Sequence, residues 1–251
     1  MGGDNYDLKL LMKQNTSWGE EYVFGEYQKE LILPNLLRLL DIKKDEVILD
    51  LACGQGFFSR EFAKAGAKVI GVDISKELIE IAKKNRGVTY YVASADKLTF
   101  LKNQSVDKIT IVLAIQNIEN AHGVFAECQR VLKPNGKLLL VMNHPAFRIP
   151  KESSWGWDEE KKIQYRRVDR YLSELKAKIQ MRPGDQPDKY TISFHRPLQF
   201  YFKIFGKNNF AVTRLEEWNS HKKSEPGPRA TAEDRSRKET PLFLFIEAVK
   251  I

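Results

Sequence analysis

The stretch VILDLACGQGFFSREF, residues 47–62, decides how the chain is read. Val47 to Leu51 is a short apolar run, Gly54 and Gly56 stand one residue apart, and the residues from Phe57 onward have helical spacing. The run predicts a strand covered on both faces, since a half-exposed strand would alternate apolar and polar residues. Glycines without Cβ atoms let the backbone approach a ligand, and the N-terminus of the helix that follows supplies unpaired N–H groups. Glycine turns leaving the carboxyl end of a first strand are where open α/β sheets bind ligands. A tight strand-to-helix turn also accounts for two glycines, so the motif needs support from elsewhere. A dinucleotide fingerprint would place a third glycine at position 59, where this chain has Ser59, and would open the chain rather than follow a long segment.

That support comes from the next run. Asp73 ends a second strand candidate in VIGVDIS, where a carboxylate can accept both hydroxyls of a ribose. Ser75 is the better cap for the helix that follows, which leaves Asp73 available for another task. Outward from this pair, apolar runs at Lys68 to Val72, Val88 to Val92, Ile109 to Leu113 and Lys137 to Met142 complete five parallel strands. Helical stripes at Gly56 to Lys64, Lys76 to Lys84 and Gly123 to Leu132 lie between them. KPNG at Lys133 to Gly136 reads as a type I turn.

After Met142 the alternation of strand and helix stops. A polar, aromatic and charged segment follows, and we expect it to be an insertion forming a helical lid. Strand signals return at TISFH (191–195), a helix is expected from Pro197, and two last strands at Phe210 to Leu215 and Leu242 to Val249. The segment between those strands, rich in Pro, Gly, Ser and charge, is expected to be an exposed loop. The expected architecture is one α/β domain with a Rossmann-like sheet, mostly parallel and flanked by helices. Residues 1–45 form a helical cover, 46–143 the ligand-binding core, 144–196 the lid, and 197–251 a helix with a closing hairpin.

Composition narrows the classes. The chain of 251 residues has 41 basic and 33 acidic side chains, a net charge of +8 that permits an anionic partner without requiring one. Cys53 and Cys128 are distant and form no CxxC pair, so neither a disulfide framework nor a metal site is implied. No secretory signal is read, and a reduced, cytoplasmic setting is expected. The longest apolar stretch, Leu31 to Leu40, is interrupted by Pro34 and Arg38 and is too short for a bilayer. No feature fixes an oligomeric state.

Taken together, these residues resemble the class I S-adenosylmethionine-dependent methyltransferases, in particular the small-molecule group that includes quinone and sarcosine enzymes. Their first motif, an acid followed by small residues at alternate positions, is matched by Asp50, Ala52, Gly54 and Gly56, with Cys53 and Gln55 between them. The resemblance covers about Glu46 to Asn143 and implies S-adenosylmethionine as cofactor and S-adenosylhomocysteine as product. It implies that Asp73 and Ile74 hold the ribose, that Ala95, Asp96 and Lys97 in VASADK border the adenine, and that Ala114, Ile115 and Gln116 border the cofactor. Asn117 would face the substrate. His144 after the fifth strand and His195 before Pro197 stand where a family general base would act.

In the insertion, Trp155, Tyr165, Arg166, Arg167 and Tyr171 are the expected substrate contacts, the arginines gripping a carboxylate or phosphate. Aromatic residues near the amino end, Tyr6, Trp18, Tyr22 and Tyr27, are open to a role beside the cationic methyl donor. The implied activity is methyl transfer to an oxygen, nitrogen or carbon of a small molecule. An RNA methyltransferase using the basic insertion is the alternative, weakened because Ile115 to Ile118 lack the Pro-Pro-Tyr type motif of base-amine enzymes. A non-catalytic cofactor-binding protein is less expected still, because the first motif is nearly intact.

Overall fold

A computed structural model describes residues 25–180 and 190–251, so the sequence expectations for Tyr6, Trp18 and Tyr22 lie outside the described residues. Seven strands form one sheet: β1 (Val47–Leu51), β2 (Lys68–Asp73), β3 (Thr89–Val92), β4 (Val106–Val112), β5 (Leu132–Asn143), β10 (Phe210–Trp218) and β11 (Phe243–Lys250). Their order is β10-β11-β5-β4-β1-β2-β3. All neighbours are parallel except at β11, which runs antiparallel to β5 and β10. The chain starts in the middle at β1, moves outward to β3, and returns to the other side of β1 with β4. That reversal creates the crevice between β1 and β4 that open α/β sheets use for ligands.

The apolar runs are explained by burial on both faces. Leu49, Leu51, Leu138, Leu140 and Met142 pack into one layer, and their neighbours Ile48, Leu139 and Val141 pack into the other. The first layer is closed by α4 (Ala121–Val131) and α5 (Leu198–Lys207), the second by α1 (Leu33–Leu40) and α2 (Phe57–Lys64). Helix α3 (Lys76–Lys83) covers the β2–β3 edge. Its expected cap is present: the Ser75 hydroxyl accepts a hydrogen bond from the Leu78 amide at 3.3 Å. Helix α4 begins before the expected Gly123 because the Asn120 side chain caps it, accepting from the Gly123 amide at 3.0 Å.

Three expectations are corrected. Asn135 has φ 61°, so the turn at Lys133 to Gly136 carries a left-handed third residue that a type I turn does not have. The segment 230–239 is a helix, α6 (Ala230–Glu239), rather than loop: it is built from Ala, Glu, Arg and Lys, and Arg237 pairs with Glu233 and Asp234 on its own face.

The insertion is not helical. It forms two antiparallel ribbons, β6 (Ser153–Asp158) with β7 (Ile163–Val168), and β8 (Leu175–Gln180) with β9 (Tyr190–His195). The reason is visible in SSWGWD and KIQYRRV, where aromatic and β-branched residues recur at every second position, the strand period. Gly156 faces Tyr165 across the ribbon, and a Cβ at Gly156 would run into that ring. Helix α6 braces the first ribbon, the Ser236 hydroxyl donating to the Gln164 carbonyl and Arg229 lying 4.5 Å over the Trp157 ring.

Candidate functional site: two cavities over the carboxyl edge of the sheet

At the carboxyl ends of β1, β2, β4 and β5 lies a cavity of about 350 Å³. Its floor is the glycine turn. Gly54 and Gly56 have φ of 57° and 75°, and Ala52 takes the left-handed conformation too, at 55°. The two glycines serve different ends. A Cβ at Gly56 would collide with the Tyr90 hydroxyl, whereas a Cβ at Gly54 would meet nothing within 4 Å, only open cavity. Asp73 braces the turn: its Oδ2 accepts from the Gly54 amide at 2.9 Å and its Oδ1 from the Ser75 amide at 2.8 Å. Asp50 sits beneath, accepting from Ser59 Oγ at 2.5 Å and Thr110 Oγ1 at 2.9 Å.

Both carboxyls are buried, and burial raises the pKa of each. Asp50 is pushed up to about 6, the hydrogen bonds of Ser59 and Thr110 opposing the rise and the nearby Asp73 charge adding to it. Asp73 is raised by burial against the amides of Ser75, Gly54 and Ile74. These are the acidic residues of the cavity wall, and among the described residues no lysine or arginine lines it. The rest is largely apolar, with Phe58, Leu78, Val112 and Leu113. A cationic ligand suits such a wall; the pyrophosphate of a dinucleotide does not.

A family model described as a methyltransferase domain matches residues 49–140, the segment that builds this edge. An S-adenosylmethionine dependent methyltransferase from Mesorhizobium loti superposes with a TM-score of 0.69 at 27% identity, covering 86% of this chain and 96% of that one. Residues 49–140 thus form a methyltransferase domain, and the chain has the fold of S-adenosylmethionine-dependent methyltransferases. A demethylmenaquinone methyltransferase of Tropheryma whipplei is 34% identical over 113 residues, 43% of this chain and 46% of that protein. An uncharacterized protein of Haemophilus influenzae is 27% identical over 231 residues, covering 87% of this chain and 86% of the relative. The matches at the higher identity are partial: the chain spans about half the length of the demethylmenaquinone methyltransferases it matches.

This cavity gathers Asp50, Ala52, Cys53, Gly54, Asp73, Ile74, Ala114 and Gln116 from the expected cofactor contacts, and also Asn117, the residue expected to face the substrate. Gln55, Gly56, Ala95, Asp96, Lys97 and Ile115 stand outside its walls. Ile115 is wholly buried in the core, and Asp96 is tied to Ser94 and, at 2.7 Å, to Asn120. Sequence reasoning missed the roof. Ile179 and Thr191 come down from the second ribbon, with Ser193 two residues further along, and Gln28 closes one side from the amino-terminal helical segment. The alternation of Thr191, Ser193 and His195 in TISFH carried that signal.

A second cavity, of about 420 Å³, adjoins the first beneath the ribbons. The two share Gln116, Asn143, Ile179 and Ser193. Gln116 donates from Nε2 to the Leu113 carbonyl at 2.7 Å, while its Oε1 is buried without a partner. Trp155, Arg166 and His195 line this second cavity; Tyr165, Arg167 and Tyr171 do not. Strand geometry explains the split between adjacent arginines, since successive residues face opposite ways. Arg167 instead pairs with Asp169 at 2.8 Å on the exposed side, and the Tyr171 hydroxyl accepts from the Leu198 amide at 3.1 Å.

The two histidines differ. His144 lines neither cavity: its Nε2 bonds Glu217 at 2.8 Å and its Nδ1 accepts from the Ala146 amide at 3.2 Å. His195 bonds the Tyr171 carbonyl through Nε2 at 2.7 Å. A carbonyl only accepts, so the proton resides on Nε2 and Nδ1 carries the lone pair. Burial lowers the pKa of both imidazoles, opposed at His144 by Glu217 and at His195 by the Tyr171 carbonyl, and so favours their neutral forms. Tyr27, the described aromatic near the amino end, bonds Ser220 at 2.9 Å and packs on Phe243 rather than lining the cofactor cavity.

Proposed function

We propose that this protein transfers a methyl group from S-adenosylmethionine to a nucleophilic oxygen, nitrogen or carbon of a small molecule held in the second cavity. The observation that carries the reading is the pair of contiguous cavities meeting at Gln116, Asn143, Ile179 and Ser193. In-line displacement needs donor and acceptor presented to each other across such a shared wall, and holding reactants in that geometry supplies roughly 7–11 kcal/mol of the barrier reduction. The bound cofactor supplies an electrophilic methyl group on a sulfonium that leaves as the neutral thioether.

Within this reading the chain's residues divide the work. Asp73 and the Gly54 turn hold the ribose side, Asp50 keeps a carboxylate near the cationic end, and the ribbon β8–β9 excludes water from above. His195 acts as the base where the acceptor must lose a proton, because its Nδ1 is unprotonated and it lines the acceptor cavity. His144 instead holds the base of the insertion through Glu217 and Ala146. The small-molecule reading is favoured over RNA because the exposed arginines of the insertion are already paired, Arg167 with Asp169 and Arg170 with Glu152.

Two variants test the division. Asp73→Ala weakens cofactor binding by roughly tenfold to a hundredfold, the worth of a charged hydrogen bond. His195→Ala leaves cofactor binding intact and slows formation of S-adenosylhomocysteine by roughly a hundredfold. Calorimetry and product detection read the two effects separately, and loss of cofactor binding in both variants would refute the assignment.

A further inference from the structure

The acceptor cavity has a charge pattern opposite to that of its neighbour. Three arginines line it, Arg148, Arg166 and Arg196, and among the described residues no aspartate or glutamate does. The three are not equivalent. Arg196 is fully engaged, donating to the carbonyls of Ile115, Ile118 and Glu119 at 3.3, 2.9 and 2.8 Å and lying about 5 Å over Phe194 and Phe200. It is a strut between the insertion and the loop after β4.

Arg166 is oriented but not neutralised. Its Nε donates to the Phe147 carbonyl and its Nη2 to Ser153 Oγ, both at 2.8 Å, and it lies 5.3 Å over the Trp155 ring. No carboxylate among the described residues pairs with it. Arg148 stands beside it, and its guanidinium has no hydrogen-bond or ion-pair partner among the described residues. It is solvent-exposed, the surrounding protein still depresses its pKa, and its charge adds to the burial that depresses Arg166.

Several arginines elsewhere are neutralised by a carboxylate, Arg38 by Glu216, Arg130 by Glu127 and Arg237 by Asp234. Two guanidiniums facing one cavity, Arg166 half-buried and Arg148 exposed, repel each other, and a counter-charge placed between them would be favourable. Guanidinium forks match the oxygens of carboxylates and phosphates.

We propose that Arg148 and Arg166 bind an oxyanionic group, carboxylate or phosphate, on the methyl acceptor. The anion anchors the far end of the acceptor, and the unpartnered Oε1 of Gln116, on the wall shared with the cofactor cavity, accepts a hydrogen bond from its reacting end. The acceptor is thus a small anionic molecule bearing a hydroxyl or amine. This assignment rests on the methyl-transfer reading above and names the substrate class for that same site.

The test uses the full chain without cofactor, titrated calorimetrically at constant ionic strength with inorganic phosphate and, separately, acetate. Saturable one-to-one binding of either anion is expected, and the anion that binds tells a phosphate acceptor from a carboxylate one. Arg148→Gln and Arg166→Gln each weaken that binding about tenfold or more, while Arg148→Lys keeps part of it, retaining charge without the fork. Binding of S-adenosylmethionine, measured on the same samples, is unchanged in all three variants, which shows that they are folded. Failure of both anions to saturate, or affinities untouched by both glutamine variants, overturns the proposal. With cofactor binding intact, either failure leaves the methyl-transfer reading standing; absence of cofactor binding in the parent chain would instead refute that reading.

Discussion

The two cavities share a wall and differ in almost everything else. The cofactor cavity is acidic, set by Asp50 and Asp73, and is built mostly from consecutive turns at the ends of adjacent strands. The acceptor cavity is basic, set by Arg148, Arg166 and Arg196, and is assembled from two ribbons, a strand end and a helix far apart in sequence. The contrast teaches where specificity resides. On the proposed reading, the acidic pocket on the sheet edge serves the sulfonium donor and the inserted ribbons select the acceptor.

Breaking the acidic side alone is the largest effect the structure predicts. Gly56→Ala puts a Cβ into the Tyr90 hydroxyl at a φ that disfavours any side chain, and Tyr90 cannot retreat because its ring already packs against Gly71. The strain and overpacking lower stability by roughly 2–4 kcal/mol and abolish cofactor binding. Denaturant unfolding and calorimetry on the variant check this, and an unaltered midpoint would show that the turn has slack.

A smaller change comes from pH, which erases the contrast without mutation. Asp50 titrates near 6 rather than at its ordinary 3.8, so at pH 5 about a tenth of it is ionised and affinity for the cationic cofactor falls toward that fraction, recovering above pH 7. The stability of the cofactor-free protein moves the other way. The folded state binds the proton more tightly than the unfolded chain, so the Asp50 contribution is complete below 3.8 and is lost as pH rises through about 6. Binding and unfolding measured across this window therefore give opposite slopes, and parallel slopes would place the titration elsewhere.

The same contrast explains what the sequence disclosed. The sheet was legible because strands buried on both faces must be written as uninterrupted apolar runs, and the glycine turn because backbone at positive φ near a ligand restricts residue choice. Asp50 and Asp73 sit at fixed places on those elements. The ribbons were misread as helix: RRVDRYLSELKAK has helical charge spacing, while the period-2 signal in SSWGWD spans only a few residues. Arg148 offered no pattern at all. Its position depends on the packing of a loop after β5 against ribbons whose strands pair across distant residues, and no local spacing encodes that. Gln116 illustrates a middle case: the loop after β4 marked it as a cofactor neighbour, but only the three-dimensional arrangement shows it on the wall common to both cavities.

Calorimetric titration of the protein with S-adenosylmethionine, S-adenosylhomocysteine and NADH tests the central claim most directly. The account predicts saturable one-to-one binding of the first two and none of NADH, whose pyrophosphate would confront the carboxylates of Asp50 and Asp73. Binding of NADH alone would mean that the acidic cavity is not a sulfonium site, and the functional account would fail with it.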